Sequence, residues 1–181
     1  MKKIVIQDKE FKLSILSANI KRSIERMAFD INQDYEGKEV LFICILNGSF
    51  IFASDLLKKI KLSCQISFVK LSSYFENEST GTVKELIGIN EEITGRNVII
   101  LEDIVDSGMT IETVTSKFKS MNPASLRIAT LLFKPQAYRK NLVIDYVGIE
   151  MPNSFLVGYG LDYNGYGRNL EDIYVLEENE K

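Results

Sequence analysis

The 181-residue chain contains no histidine. That excludes Ser-His-Asp and Cys-His nucleophilic schemes, and zinc sites built on imidazole. Proton transfer must fall to carboxylates, lysine, tyrosine or water, and a metal is expected to be a hard, oxygen-liganded ion such as Mg²⁺. Cysteine is scarce. Cys44 and Cys64 lie far apart in apolar, strand-like segments, without a C-x-x-C pair. Both read as small buried hydrophobes in a reducing compartment. Excess positive charge is also missing: the formal net charge is -3, so no polyanion-binding surface is indicated and no nucleic-acid partner is expected. No apolar run approaches the ~20 residues of a membrane span, and Ile4-Val5-Ile6 is too short for a signal peptide. The expectation is a cytoplasmic protein without a membrane partner.

What is present is a chain long enough for one domain with a substantial core. Leu16, Ile20, Ile24, Met27 and Ile31 form an apolar stripe at helical spacing that ends at Gly37. Val40 to Leu46 is almost continuously apolar, as expected of a strand covered on both faces. Asn47-Gly48-Ser49 interrupts it, and Phe50, Ala53, Leu57 and Ile60 predict a second helix. Cys64 to Leu71, Val98 to Leu101 and Leu126 to Phe133 predict further strands, and Ser72 to Val83 a long mobile loop. Strands alternating with helices predict an α/β fold with an open, mostly parallel sheet flanked by helices. After Lys140 the pattern changes to short strands and turns, over 143–149 and 155–158. This predicts a single domain, 1–181, with a core over about 13–140 and a small hood subdomain from 1–12 and 141–181.

The most informative stretch is Val98-Ile99-Ile100-Leu101-Glu102-Asp103-Ile104-Val105-Asp106-Ser107-Gly108-Met109-Thr110. An apolar strand runs into two acids, then a third acid and a small, hydroxyl-rich turn. Ile111, Val114, Phe118 and Met121 continue at helical spacing. A strand ending in such a turn at a helix N-terminus suits a phosphate, because the first backbone N–H groups lack intrahelical partners and the helix dipole favours an anion. Gly108 and Ser107 let the main chain approach closely. The carboxylates suit the neighbouring hydroxyls of a phosphorylated sugar. The plain alternative is an ordinary strand-to-helix loop capped by Ser107. In open α/β sheets, ligands bind beyond the carboxyl ends of the strands. Asn47-Gly48-Ser49, the loop after 72, the acid cluster and Lys134 all follow strands and can converge there.

Two acids, two apolar residues, Asp, Ser or Thr, Gly, x, Thr resembles the phosphoribosyltransferase signature, and the remaining segments narrow the resemblance to the hypoxanthine-guanine phosphoribosyltransferases over nearly the whole chain. The resemblance implies transfer of a phosphoribosyl group from phosphoribosyl pyrophosphate to hypoxanthine, and guanine as well, with Mg²⁺. It implies ribose and metal contacts for Glu102 and Asp103, a general base at Asp106, and a 5′-phosphate site over Asp106, Ser107, Gly108, Met109 and Thr110. Leu46-Asn47-Gly48 is similar to the family's pyrophosphate loop, with a cis peptide before Asn47. Many relatives carry Lys or Arg where Asn47 stands, which leaves backbone N–H groups as the main contacts. Arg168 matches a pyrophosphate-binding arginine, and Ser73-Tyr74 the start of a flexible catalytic loop continued by Ser79-Thr80-Gly81. Lys134 resembles the lysine that donates to the purine 6-oxo group. Phe155 matches a base-stacking ring, Leu156 a backbone that reads the base edge, and Asp162 a purine and metal contact. Gly165 and Gly167 replace bulkier residues. Relatives form homodimers or homotetramers. A xanthine-preferring enzyme is the nearest alternative. A nucleotide-sensing regulator that binds nucleic acid is another, disfavoured by the acidic balance and the complete base site.

Overall fold

A computed structural model describes residues 2–73, 83–89 and 91–177. In chain order these form β1 (Lys3–Ile6), β2 (Lys9–Ile15), α1 (Ser17–Asp34), β3 (Val40–Leu46), α2 (Phe50–Leu57), β4 (Cys64–Ser73), β5 (Val83–Ile87), β6 (Asn97–Val105), α3 (Met109–Lys119), β7 (Ser125–Phe133), β8 (Tyr146–Glu150), β9 (Leu156–Val157) and β10 (Ile173–Leu176). The main sheet has six strands in the order β5-β4-β3-β6-β7-β8. Its five strands from β4 to β8 in that order pair in parallel, and β5 adds an antiparallel edge.

The continuous apolar run of β3 follows from cover on both faces. Val40, Phe42 and Cys44 join Ile20, Ile24, Met27 and Ile31 of α1 and Phe52 and Leu56 of α2 in one buried cluster. Leu41, Ile43 and Ile45 point the other way and join Ile111, Val114 and Phe118 of α3. The period of two along a strand thus divides one run between two cores. The N-terminus of α1 is capped from far away: the Ser17 N–H donates to Asp172 Oδ1 at 2.9 Å. That bond is the leading cause holding the Asp172 carboxyl below its usual range.

A second, antiparallel sheet has the order β1-β2-β10-β9 and joins the early strands to the late ones. The strand expected near 143–149 is not part of it. β8 begins at Tyr146 and pairs in parallel with β7, from Ala129↔Tyr146 to Phe133↔Glu150. The main sheet therefore reaches past residue 140, and β2 extends to Ile15, beyond the expected boundary at 12. The change of texture after Lys140 marks the irregular 139–145 stretch, not a change of sheet. The expected loop over 72–83 has strand at both ends, since β4 runs to Ser73 and β5 starts at Val83. Tyr74 and Ser79-Thr80-Gly81 lie outside the described residues. Cys44 is buried as expected, but Cys64 is exposed at the start of β4. Among the described residues, no helix is long and apolar enough to cross a membrane.

Candidate active site

The carboxyl ends of β3, β6 and β7 bring three of the expected segments to one edge of the sheet. β6 is longer than its apolar run: it continues through Glu102 and Asp103 to Val105, with Glu102↔Thr130 and Val105↔Phe133 as partners on β7. The two acids are therefore strand residues held by backbone pairing, not loop residues. Glu102 is 9% exposed, and its Oε2 is buried with no hydrogen-bond partner. Desolvation, reinforced by the neighbouring Asp103, pushes its carboxyl well above the ordinary range. Burial also pushes Asp103 up to about 6, opposed by the Ile104 N–H and by Arg168, and reinforced by Asp162. Its Oδ1 accepts the Ile104 N–H at 2.8 Å.

The turn that follows has Gly108 at φ +86°, in the left-handed region, immediately before α3. No side chain caps this helix, so Ser107 is not the cap of an ordinary loop. A cavity of about 80 Å³ is lined by Glu102 and the residues from Ile104 to Ile111, and so includes the start of α3, where the first N–H groups of a helix lack intrahelical partners. That is the arrangement an oxyanion requires. The turn is braced from behind by residues whose role the sequence did not disclose. The Arg139 N–H donates to the Ser107 carbonyl at 3.2 Å. A Cβ on Gly108 would fall 2.5 Å from Cε2 of Tyr138, whose hydroxyl donates to the Leu142 carbonyl at 2.8 Å. A tyrosine near a lysine is no motif, and only the fold brings it beneath Gly108.

Lys134 follows β7 and is 7% exposed, with its Nζ 2.9 Å from Asp106 Oδ2. A buried ammonium needs a partner. Here the partner is the acid expected to act as a base. Phe155 is half-exposed. Its ring meets Tyr163 edge-on at 6.0 Å and Phe11 at 6.4 Å between centroids, which leaves apolar surface open to a flat ligand. Leu156 is buried in β9 and paired with Val175 of β10.

On the other side, the Leu46–Asn47 peptide is cis, as expected. Gly48 is set by a close contact: a Cβ there would lie 1.5 Å from Asp103 Oδ2, so the Asp103 side chain would have to move. Gly160 is equally tight, since its Cβ would lie 2.1 Å from the Gly48 carbonyl oxygen. Arg168 donates to the Gly160 carbonyl at 2.6 Å and pairs with Asp162 Oδ1 at 2.6 Å. Asp162 Oδ2 accepts the Gly165 N–H at 2.7 Å.

Among the described residues, no three His, Cys, Asp or Glu side chains are gathered to hold a metal ion. Glu102, Asp103 and Asp162, expected as a metal set, do not form a ready-made cage. Asp162 is engaged by Arg168 and Gly165, and Asp103 is packed against Gly48. The donor chemistry nevertheless fits Mg²⁺. The oxygens are hard, and the buried, unpartnered Glu102 Oε2 belongs to a residue that lines the same cavity as the turn before α3. A Mg²⁺ ion normally shares its ligation with substrate oxygens and water, so a full protein cage is not required.

The phosphoribosyl transferase domain family matches residues 13–164. A hypoxanthine-guanine phosphoribosyltransferase of Mycobacterium bovis is 39% identical over 176 residues, spanning 93% of this chain and 87% of that protein. The enzyme of the same name from Homo sapiens is 36% identical over 167 residues, spanning 87% and 77%. A crystal structure of a hypoxanthine-guanine phosphoribosyltransferase from Bacillus anthracis, with a HEPES molecule in its active site, superposes with a TM-score of 0.86. It is 40% identical and covers 91% of this chain and 97% of that one.

Proposed function

This chain belongs to the phosphoribosyltransferases, among the hypoxanthine-guanine enzymes, and from that premise we propose how its side chains divide the reaction. The reaction moves the 5-phosphoribosyl group from phosphoribosyl pyrophosphate to hypoxanthine or guanine, and releases the nucleoside 5′-monophosphate and pyrophosphate, in purine salvage. The observation that carries the assignment of roles is the Lys134–Asp106 pair, which sits directly against the phosphate turn.

As the bond from C1′ to pyrophosphate breaks, positive charge grows on the ribose and N9 of the purine bonds to C1′. Catalysis of such a step rests on positioning and on charge placed where it develops. The N–H groups of Ser107, Gly108, Met109 and Thr110 hold the 5′-phosphate, and Glu102 and Asp103 hold the ribose hydroxyls. Asp106 takes the purine proton at N7. Lys134, with three donors and no acceptor, gives one to Asp106 and one to the 6-oxo oxygen. A 6-amino purine offers no acceptor there. Phe155 stacks on the base, and the Leu156 backbone with Asp162 reads its edge. The leaving pyrophosphate rests on the backbone of Leu46, Asn47 and Gly48 and on Arg168. Mg²⁺, held by Glu102, Asp103 and Asp162 together with substrate oxygens, would supply charge neutralisation of the leaving group. Ser73 and Tyr74 begin the loop that excludes water, with Tyr74 itself outside the described residues.

In this reading the second sheet serves as the hood and the core runs through β8. A homodimer or homotetramer is supported by exposed apolar side chains, Ile66 and Phe68 on one face of β4 and Phe50 at the start of α2. Light scattering of the purified protein tests it, and a strictly monomeric active enzyme would reject it. The proposed location is the cytoplasm.

The deciding assay presents phosphoribosyl pyrophosphate and Mg²⁺ with hypoxanthine, guanine, xanthine or adenine in turn. Turnover of hypoxanthine and guanine is expected, with little of adenine. Comparable kcat/KM on adenine would remove Lys134 from the specificity role.

A further inference from the structure

Tyr159 and Asp55 stand outside every role described so far, yet they join the two segments that flank the pyrophosphate. Tyr159 is 5% exposed, on the C-terminal segment between two glycines, at φ +50°. Its hydroxyl donates to Asp55 Oδ2 at 2.5 Å, across to α2. α2 begins directly after the Leu46–Gly48 loop, and Ser49 ties that junction down by donating to the Ile45 carbonyl at 2.5 Å. One residue beyond Tyr159, Gly160 packs on the Gly48 carbonyl and accepts from Arg168. Its own N–H donates to the Arg168 carbonyl at 2.9 Å. The Asp55–Tyr159 bond therefore closes a ring that runs through α2, the Gly48 loop, Gly160 and back.

We propose that Tyr159, anchored on Asp55, is a positioning residue that fixes the distance between the Leu46–Gly48 loop and Arg168, and so tunes the grip on pyrophosphate. The inference rests on the pyrophosphate roles given above. With Asn47 in place of a cationic side chain, backbone N–H groups carry much of that grip. Backbone donors cannot reach for a ligand as a lysine does, so their spacing must be set by the scaffold. Asp55 also pairs with Lys58 at 3.0 Å, which leaves the carboxylate compensated when the phenol is removed.

The test compares the parent enzyme with Tyr159→Phe, Asp55→Ala, Asp55→Asn and the double variant Tyr159→Phe/Asp55→Ala. For each, KM is measured for Mg²⁺–phosphoribosyl pyrophosphate and for hypoxanthine, with the inhibition constant of inorganic pyrophosphate. Tyr159→Phe is expected to raise the phosphoribosyl pyrophosphate KM and the pyrophosphate inhibition constant by about 5- to 20-fold, less than the full loss of a charge-assisted hydrogen bond because the effect reaches the site through the scaffold. The hypoxanthine KM should stay within about twofold, because uniform binding at the base is untouched. Asp55→Ala should give the same split, the double variant no more than either single one, and Asp55→Asn should restore most of the grip by keeping an acceptor oxygen. The inference is overturned if the two KM values rise together, if the pyrophosphate constant does not move, or if the single effects multiply in the double variant. A parent enzyme without phosphoribosyl transfer to hypoxanthine would overturn the functional reading itself. An active parent with an unchanged Tyr159→Phe overturns only the positioning role.

Discussion

Asp106 and Lys134 are paired at 2.9 Å, which puts the proposed base and the proposed 6-oxo donor within reach of one ligand. Asp106→Asn keeps the size and loses the basicity. A fall in kcat on the order of 10²-fold or more is expected, with far less change in phosphoribosyl pyrophosphate affinity, because the turn's N–H groups stay in place. Near-normal kcat with lost phosphoribosyl pyrophosphate binding would make Asp106 structural. Glu102 has the opposite signature. Its buried Oε2 lacks a partner, and burial raises its affinity for a proton in the folded chain. A carboxyl raised on folding favours the folded state fully below the ordinary carboxylate range, and that contribution is lost as pH rises through the elevated folded value. Glu102→Gln removes the charging cost. The variant should therefore melt higher than the parent in substrate-free buffer, by a margin that widens from pH 5 to pH 8, while turnover falls. Calorimetric melts across that range decide it, and a margin that shrinks with pH would refute the assigned cause.

The strand–turn–helix unit from β6 to α3 was legible in the sequence because its pattern is local: strand, acids, small residues and helix follow one another in order. The elements around it were legible only in outline. The sequence pattern ends β6 at Leu101, because its polar continuation reads as loop, yet sheet pairing with β7 carries Glu102 and Asp103 as strand. The stretch 143–149 reads as a short strand of a C-terminal subdomain, because a five-residue strand says nothing about its partner; β8 in fact pairs with β7. Nothing in the sequence marks Tyr138, since its contact with Gly108 is made by the fold. That contact has a testable cost. Tyr138→Leu leaves space behind Gly108 and should raise the phosphoribosyl pyrophosphate KM several-fold, with hypoxanthine KM little changed. Tyr138→Phe, which keeps the ring, should stay close to the parent. Equal effects of the two variants would place the role in the hydroxyl and its bond to Leu142 instead.

For the molecule as a whole, the proposed site spans both sheets: the turn at 106–110 and Lys134 follow strands of the main sheet, while Phe155 and Arg168 flank strands of the second. Ligands that touch both should stabilise the whole chain. Mg²⁺ with phosphoribosyl pyrophosphate is expected to raise the melting temperature by an amount that grows with ligand concentration, as linkage requires. Excess chelator should abolish turnover and most of that shift. Full activity in chelator would reject the metal role. The second sheet carries a further consequence for biogenesis. β2 pairs with β10, whose first residue, Ile173, meets Ile15. On the ribosome, the hairpin of β1 and β2 emerges early and must wait for the entire main sheet to be synthesised before its partner exists. Asp172, which caps α1 at Ser17, arrives just as late. The strand beside the proposed purine site, β9, thus depends on β10, which is made long after β2. A stalled nascent chain ending before β10 would carry the strand–turn–helix unit of β6 and α3 but leave β2 and β9 without their partner.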